Sequence, residues 1–275
     1  MTPIQAAILG IVEGLTEFLP VSSTGHLILA GHAMGLSGSA VDAFEIVIQA
    51  GALIAVLWLY RTRVAQVVAG VFGRDPGGRS LALKLFVAFL PSAVVGLLAG
   101  DWVKEHLFGP FPVAVALLAG GILILLVERF RRRDRAPIAT VGEISMTGAL
   151  WIGLAQILSL WPGTSRAMTT ILAALLLGAP PVVAAEFSFL LAIPTLGAAT
   201  LYDLLKHRDE LLGPALGGPL PLVVGLVTAA VVAAIAIKAF LSYLTRRGLV
   251  PFGWYRIVIG VILIAVLWSQ PQGLG

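Results

Sequence analysis

Two short polar stretches interrupt an otherwise apolar chain, and their side chains are of the kinds that bind and cleave phosphate groups. The first is VEGLTEFLPVSSTGH, residues 12–26, and the second is LWPGTSRAM, residues 160–168. Glu13 and Glu17 are four residues apart, so a helix places both carboxylates on one face. Two like charges that close repel each other, which predicts either a cation bound between them or a shared proton.

Each stretch predicts a helix break followed at once by a new helix. Pro20 ends the helix that carries the two carboxylates, and Pro162 with Gly163 breaks the second stretch. Arg166 then falls in the first turn of the helix that follows the second break. The hydroxyl residues suited to cap the new helices are Ser22, Ser23, Thr24, Thr164 and Ser165.

Two helix N-termini that face each other would make an anion site. Their free N–H groups and positive dipole ends favour phosphate, and the guanidinium fork of Arg166 matches phosphate oxygens. The carboxylates of Glu13 and Glu17 would repel that anion unless a divalent cation such as Mg²⁺ lay between them. Three unpaired charges within a membrane would cost about 8–10 kcal/mol. We therefore expect these residues to be functional.

Composition indicates the class of protein that holds these residues. The chain has 275 residues, of which 59% are hydrophobic and only 12% charged. An average soluble domain is about 45–50% apolar and about 25% charged, so an integral membrane protein is expected. The apolar runs have helical length and lack the alternation of a barrel, which predicts an all-α fold. The chain has no cysteine, which excludes disulfides and thiolate metal sites.

The apolar runs predict six transmembrane helices and two re-entrant helical hairpins. The hairpins are 4–36 and 145–178, because each is apolar but broken in the middle by one of the polar stretches. The six spans are 44–60, 81–100, 111–127, 182–202, 219–241 and 251–268.

Basic residues predict the orientation of these elements. Most of the 18 Lys and Arg residues lie in the connections after the first, third and fifth spans, and Arg256 is counted with the last group. Such clustering fits cytoplasmic loops better than a nucleic-acid surface. With those loops inside, both termini are external, the first hairpin enters from outside and the second from the cytoplasm.

The two halves of the chain resemble each other. PVSSTGH is echoed by PGTSRAM, and Glu13 by Gln156, at nearly the same offset. The sequence therefore predicts a first repeat over 1–127, a basic cytoplasmic linker over 128–142 and an inverted second repeat over 143–275. Inverted repeats with broken helices predict a binding site near the membrane midplane, where the two hairpins meet.

The paired motifs resemble the bacterial undecaprenyl-diphosphate phosphatase family of the bacitracin-resistance type. VEGLTEFLPVSSTGHL and PGTSR carry the resemblance, and FEIVIQAGALIAV and AAEFSFLLAIP extend it over the chain. It implies hydrolysis of undecaprenyl diphosphate to the monophosphate and phosphate, aided by Mg²⁺ or Ca²⁺. This reaction recycles the lipid carrier for peptidoglycan synthesis and confers bacitracin resistance. The implied location is the bacterial inner membrane, with a site that opens to the periplasm.

The resemblance also assigns roles to residues. It implies catalysis by Glu17, Ser23, His26 and Arg166, and metal binding by Glu13 with Glu17. One departure is that Ala167 and Met168 follow the arginine, where the family often has Ser-Gly. The residues expected to bind substrate are Ser22, Thr24, Thr164, Ser165 and Thr170.

Two questions stay open at this stage. Ser23 is the candidate nucleophile with His26 as its partner, but His26 itself or an activated water could attack phosphorus. The alternative function is a transporter or flippase of polyprenyl phosphate, because opposed half-helices are also transporter architecture. The expected partners are the polyprenyl diphosphate and membrane lipids, with a second copy of the chain as a further candidate and no nucleic acid.

Overall fold

The computed structural model describes residues 1–131 and 138–269, with the backbone alone at positions 101, 104 and 215. The described residues form helices joined by short turns, and no β-strand occurs among them. Within these described residues, six stretches are long and apolar enough to cross a membrane, as the sequence predicts. They are Ser39–Leu59, Pro76–Gly100, Pro110–Phe130, Pro181–Lys206, Pro219–Leu244 and Val250–Ser269.

The helices follow one another along the chain with few long connections. The first membrane-length stretch consists of two helices with a break at Ile48. In chain order the helices are α1 (Pro3–Thr16), α2 (Ser23–Ala33), α3 (Ser39–Val47), α4 (Gln49–Leu59), α5 (Arg61–Val71), α6 (Pro76–Leu107), α7 (Pro110–Phe130), α8 (Met146–Gln156), α9 (Arg166–Leu176), α10 (Pro181–Lys206), α11 (Arg208–Leu212), α12 (Pro219–Leu244) and α13 (Val250–Ser269).

Two pairs of short helices occupy the regions that the sequence predicts to be broken. α1 and α2 are separated by the turn that contains Pro20. α8 and α9 are separated by a 3₁₀ turn, Ile157–Leu160, and by the Pro162–Gly163 turn. Each of these four helices is shorter than the roughly 17 to 25 residues that a span requires.

The caps of α2 and α9 share an unusual backbone conformation. Ser22 and Ser165 both have φ of 75°, and no other non-glycine residue in the described ranges has a positive φ. Each serine side chain accepts the N–H of the residue three positions on, Gly25 and Met168 respectively. A non-glycine residue in this region costs about 1–3 kcal/mol and is frequent at functional sites.

α1 packs closely along α12, and this contact holds in place the helix that leads into the first break, the turn at Pro20. Gly10 and Gly14 face α12 in a Gly-x-x-x-Gly spacing, which lets helix backbones approach. A Cβ added at Gly14 would lie 2.7 Å from the Ala229 carbonyl oxygen and 2.8 Å from the Val232 side chain. Glu13 of α1 and Glu17, which caps the end of α1, are thus positioned by backbone-to-backbone packing.

We expect Gly14→Ala to lower the free energy of unfolding by about 1–3 kcal/mol, because the added methyl group forces α1 away from α12. Thermal unfolding of the detergent-purified protein measures this change. Gly197→Ala in α10 is the control, since its added Cβ would meet Leu53 at an ordinary 3.7 Å. Equal melting temperatures for the two variants would contradict the close-packing argument.

The first break also contacts the helix that follows the second pair. Phe18 is fully buried and packs edge-to-face against Phe189 of α10, with ring centroids 5.2 Å apart. Both rings belong to the larger apolar core, which includes residues of α4, α6, α8, α9, α10 and α12. This core joins the two halves of the chain around the breaks.

The basic residues differ in part from the sequence expectation. The sequence places Arg256 in the cytoplasmic connection after the fifth span, but its side chain is fully buried and belongs to α13. That expectation is wrong because distance from the end of an apolar run does not reveal which way a side chain points. The linker predicted over 128–142 includes residues 132–137, which lie outside the described residues.

Candidate active site

Glu17 and Arg166 bring the two helix breaks into contact. An Nη2 of Arg166 donates to Oε1 of Glu17 at 2.8 Å. The two side chains are only 9% and 6% exposed, so the pair is largely removed from solvent. The opposed arrangement expected of these two residues from the sequence therefore exists as a direct ion pair.

Ser23 joins the same group through the other carboxylate oxygen. Its hydroxyl donates to Oε2 of Glu17 at 2.5 Å. A carboxylate that accepts the proton of a serine hydroxyl stands where a general base must stand to activate that oxygen. Ser23, Glu17 and Arg166 thus form a connected set, and the set spans both breaks.

Arg166 is held from behind by α10. Its Nη1 donates to the Ser188 carbonyl oxygen at 2.9 Å and to the Ser188 hydroxyl at 3.3 Å. Its guanidinium carbon also lies 5.4 Å from the centre of the Phe18 ring. These contacts fix the plane of the guanidinium. Ser188 was not among the sequence candidates, because nothing in its surrounding sequence indicates a contact with Arg166.

Thr170 supports Arg166 rather than contacting the cavity. Its hydroxyl donates to the Arg166 carbonyl oxygen at 2.8 Å and lies 2.7 Å from the Ser188 hydroxyl. Thr170 is fully buried. The structure therefore brings it beside the predicted site, in a position to hold Arg166 and Ser188 in place.

A cavity of about 650 Å³ opens onto these residues. One part of its wall is formed by the two breaks and another by α6 and α10, where apolar and small side chains are mixed with polar ones. The polar residues from these two helices are Ser92, Thr195, Tyr202, Asp203 and Lys206. The predicted site residues in the wall are Glu17, Ser22, Ser23, Thr24, Ser165 and Arg166. Those found outside the wall, as far as the chain is described, are Glu13, His26, Thr164 and Thr170.

His26 takes no part in the hydrogen bond between Ser23 and Glu17, and its side chain contacts α13 instead. Its Nδ1 is 2.7 Å from the Ser22 carbonyl oxygen, and its Nε2 is 2.6 Å from the Tyr255 hydroxyl. A carbonyl oxygen only accepts, so Nδ1 carries the proton and Nε2 accepts from tyrosine. The imidazole also stacks on the Tyr255 ring, with centroids 5.7 Å apart. The pairing of Ser23 with His26 expected from the sequence is replaced by the pairing with Glu17.

Glu13 is a buried carboxylate one helical turn before Glu17. It is fully buried, and within the described part of the chain neither of its oxygens has a hydrogen-bond partner. No group of three or more His, Cys, Asp or Glu residues suited to a metal ion occurs among the described residues. Mg²⁺ commonly binds through one or two carboxylates, water and substrate phosphates. Of the two carboxylates, Glu13 has both oxygens unengaged, whereas those of Glu17 accept from Ser23 and Arg166.

Gln156 and Ser92 are polar cavity residues that the site prediction did not include. The amide nitrogen of Gln156 donates to the Ser92 hydroxyl at 2.6 Å, and both residues line the cavity. The one available signal was the position of Gln156 in the second half, where it corresponds to Glu13 in the first. Because the amide of Gln156 is neutral, Arg166 is the residue that gives the second break its charge.

Comparison with known proteins identifies relatives over nearly the whole chain. The family model of the bacitracin resistance protein BacA matches residues 6–262. An undecaprenyl-diphosphatase of Sorangium cellulosum is 54% identical, over 96% of this chain and 85% of that protein. Undecaprenyl-diphosphatase 2 of Rhodospirillum rubrum is 48% identical, over 97% and 95%.

A third relative, undecaprenyl-diphosphatase 1 of Chromobacterium violaceum, is 46% identical over 96% of each chain. The family match therefore covers both polar stretches, the first five membrane-length stretches and most of the sixth. Together with the all-helical fold and the buried contact between the two breaks, it shows that this chain belongs to the family of the bacitracin resistance protein BacA.

Proposed function

We propose that this protein hydrolyses undecaprenyl diphosphate to undecaprenyl phosphate and inorganic phosphate. The observation that carries the proposal is the connected set of Ser23, Glu17 and Arg166 on the wall of a cavity that is also lined by α6 and α10. Relatives at 46–54% identity named undecaprenyl-diphosphatase support the same reaction. Hydrolysis returns the lipid carrier to cell-wall synthesis, and resistance to bacitracin follows from that recycling.

The cavity suits a lipid with an anionic head. Its polar end offers the Arg166 guanidinium and the serine-capped helix starts, which favour phosphate. Its other part lies between two long apolar helices and can hold the first isoprene units of a tail. The apolar side chains there are Phe89, Ala93, Leu97, Leu196 and Ala199.

Glu17 and Ser23 perform the first chemical step. Glu17 takes the proton of the Ser23 hydroxyl as the serine oxygen attacks the terminal phosphorus. The new Oγ–P bond forms while the bond from that phosphorus to the bridging oxygen breaks, and undecaprenyl phosphate leaves. Glu17 then gives its proton to solvent. It next deprotonates a water that attacks the phosphoserine phosphorus. The Oγ–P bond breaks, orthophosphate departs, and Glu17 gives the proton to the serine oxygen, which regenerates the hydroxyl.

Arg166 stabilises the charge of the transferring phosphoryl group. In the free protein its Nη2 donates to Glu17, so a bound phosphate competes with that carboxylate for the guanidinium. The contacts to Ser188 keep the guanidinium plane fixed while the partner on its other side changes. Preorganised donors of this kind are the usual source of large catalytic effects in phosphoryl transfer.

Glu13 and Glu17 are the residues proposed to hold Mg²⁺ or Ca²⁺. The unpartnered, buried oxygens of Glu13 support this assignment, because such a carboxylate is costly without a cation or a proton. A divalent cation supplies charge neutralisation to the diphosphate when it is bound. His26 is proposed to shape the first break through Ser22, since both of its ring nitrogens are engaged.

The fold is proposed to be an inverted repeat of 1–127 and 143–275, joined by the linker. The matching φ of Ser22 and Ser165, each capping the helix after a break, supports this relation. The short pairs α1–α2 and α8–α9 are then re-entrant hairpins that meet near the midplane. The protein lies in the bacterial inner membrane, and its cavity opens to the periplasm.

Orthophosphate release from undecaprenyl diphosphate by the detergent-purified protein tests the function. We expect release in Mg²⁺ or Ca²⁺, accumulation of undecaprenyl phosphate, and loss of both in EDTA. The flippase alternative is tested in vesicles with labelled polyprenyl phosphate. Movement of that lipid across the bilayer, without orthophosphate release under any metal condition, would overturn the enzymatic proposal.

A further inference from the structure

Arg256 is a fully buried arginine with no part in the reaction as proposed above. Its side chain is 0% exposed and belongs to α13, which otherwise packs mainly against α7. A charged side chain buried in this way is expensive, and such residues inside membrane proteins usually serve function.

The guanidinium of Arg256 binds both helix breaks at once. Its Nη1 donates to the Pro20 carbonyl oxygen at 3.3 Å, and its Nη2 donates to the Gly163 carbonyl oxygen at 2.8 Å. A third bond runs from Nη2 to the Ala116 carbonyl oxygen of α7 at 3.0 Å. One side chain therefore links the first break, the second break and a membrane-length helix.

Each of the two carbonyl groups belongs to the residue two positions before a strained serine cap. Pro20 is two residues before Ser22, and Gly163 is two residues before Ser165. Both serines hold φ of 75°, a conformation that persists only where the surroundings impose it. The hydrogen bonds from Arg256 therefore hold the backbone close to the two serines whose positive φ has to be imposed.

α7 leaves space for this guanidinium. A Cβ added at Gly120 would lie within 3 Å of Arg256 Cζ and of the Met168 sulfur atom. The neighbouring Gly121 lets α13 approach, since a Cβ there would lie 2.7 Å from the Gly253 carbonyl oxygen. The packing of α7 against α13 is thus fitted to an arginine at position 256.

We propose that Arg256 is a positioning residue that fixes the two breaks relative to each other, so that Ser23 and Glu17 of one meet Arg166 of the other. This inference rests on the proposed phosphatase function. Lysine cannot replace arginine fully here, because one ammonium group cannot present the planar fork that reaches three carbonyl oxygens on three segments.

Steady-state kinetics of Arg256→Met and Arg256→Lys test this role. We expect Arg256→Met to lower kcat by about 100-fold with little change in KM, because displacements near 1 Å at a reacting centre have effects of that size. Arg256→Lys should recover part of the loss. Arg247→Met, at an exposed position just after α12, is the matched control and should keep wild-type kcat.

A purely structural role would give a different pattern. It would lower the melting temperature or the yield of folded protein while kcat per folded molecule stays at the wild-type value, and that result would overturn the proposal. If Arg256→Met does not fold, Gly120→Ala crowds the same guanidinium without removing it and should also lower kcat. Wild-type kcat in both Gly120→Ala and Arg256→Lys would likewise overturn it.

A second readout does not depend on the reaction. The chain has no cysteine, so Thr164→Cys places a single thiol at the second break. We expect it to react with a maleimide about tenfold faster in the Arg256→Lys background, because the freed break opens more often. An equal labelling rate in the two backgrounds would contradict the positioning role of Arg256, even if the wild type released no phosphate. If only the phosphatase proposal is wrong, the difference in labelling rate should remain.

Discussion

Glu17→Gln is expected to lower kcat for phosphate release by about 10³-fold, the middle of the range for loss of a general base. Glutamine has nearly the same size, and its single carbonyl oxygen can accept from Arg166 while its amide nitrogen donates to the Ser23 hydroxyl oxygen, so the connected set keeps its shape. It cannot take the serine proton, and it removes a charge from the proposed metal site. The loss should therefore appear in the chemical step.

The KM of the same variant separates two roles of Glu17. In the free protein its carboxylate occupies the Arg166 guanidinium, so it competes with the incoming phosphate. A neutral amide competes less, and we expect KM at a fixed, saturating Mg²⁺ concentration to stay level or to fall while kcat falls. A raised KM with kcat near the wild-type value would show that Glu17 only binds substrate or metal.

Glu105→Gln is the matched control for this prediction. This substitution makes the same chemical change, from a carboxylate to an amide, at a side chain that is 78% exposed and lies in the last turn of α6. Phosphate release should keep the wild-type kcat in this variant. The double variant Glu17→Gln/Ser23→Ala adds a further check. If the two residues act in one proton transfer, its kcat should be little lower than that of either single variant.

The elements of the fold could be predicted because their signals are local. An apolar run of membrane length predicts a helix whatever surrounds it, and all six spans appear in the structure. The breaks were also predictable, since Pro20 and the Pro162–Gly163 pair disrupt a helix through their own backbone chemistry. The expectation that Glu17 and Arg166 face each other depended on the similarity of the two halves.

The pairing of side chains within the site could not be predicted in the same way. The Ser23 hydroxyl could reach either Glu17 or His26 as far as the spacing shows. The choice is made by the direction in which α2 leaves the positive-φ Ser22, and by Tyr255, which binds the imidazole from a helix 229 residues away in the chain. Local sequence contains neither fact.

Arg256 illustrates the same limit for charges. A basic residue near the end of an apolar run usually faces the lipid headgroups, and by that rule most of the other Lys and Arg residues of this chain are placed there. The rule uses position along the chain, whereas burial depends on the neighbouring helix. Gly120 of α7 provides the space that turns Arg256 inward, and its spacing from Arg256 is visible only in the fold.

Arg166→Lys should lower kcat/KM by about 10³-fold or more, comparable to the loss of an arginine that stabilises phosphoryl transfer. The positive charge is conserved, so a purely electrostatic contribution would survive. The geometry would not, because the guanidinium contacts Glu17 on one side and both acceptors of Ser188 on the other, above the Phe18 ring. An ammonium group cannot match that planar arrangement or bind phosphate with two parallel donors.

The measurement is phosphate release by Arg166→Lys beside Arg63→Lys, which makes the same exchange at a half-exposed arginine paired with Glu186. The control should retain wild-type kcat/KM. Thermal unfolding establishes that both variants are folded, since loss of the Glu17–Arg166 pair leaves a buried carboxylate without its partner. A loss confined to KM would limit Arg166 to ground-state binding of the diphosphate, whereas a fall in kcat places its contribution in the transition state, where the phosphoryl oxygens replace Glu17 on the guanidinium.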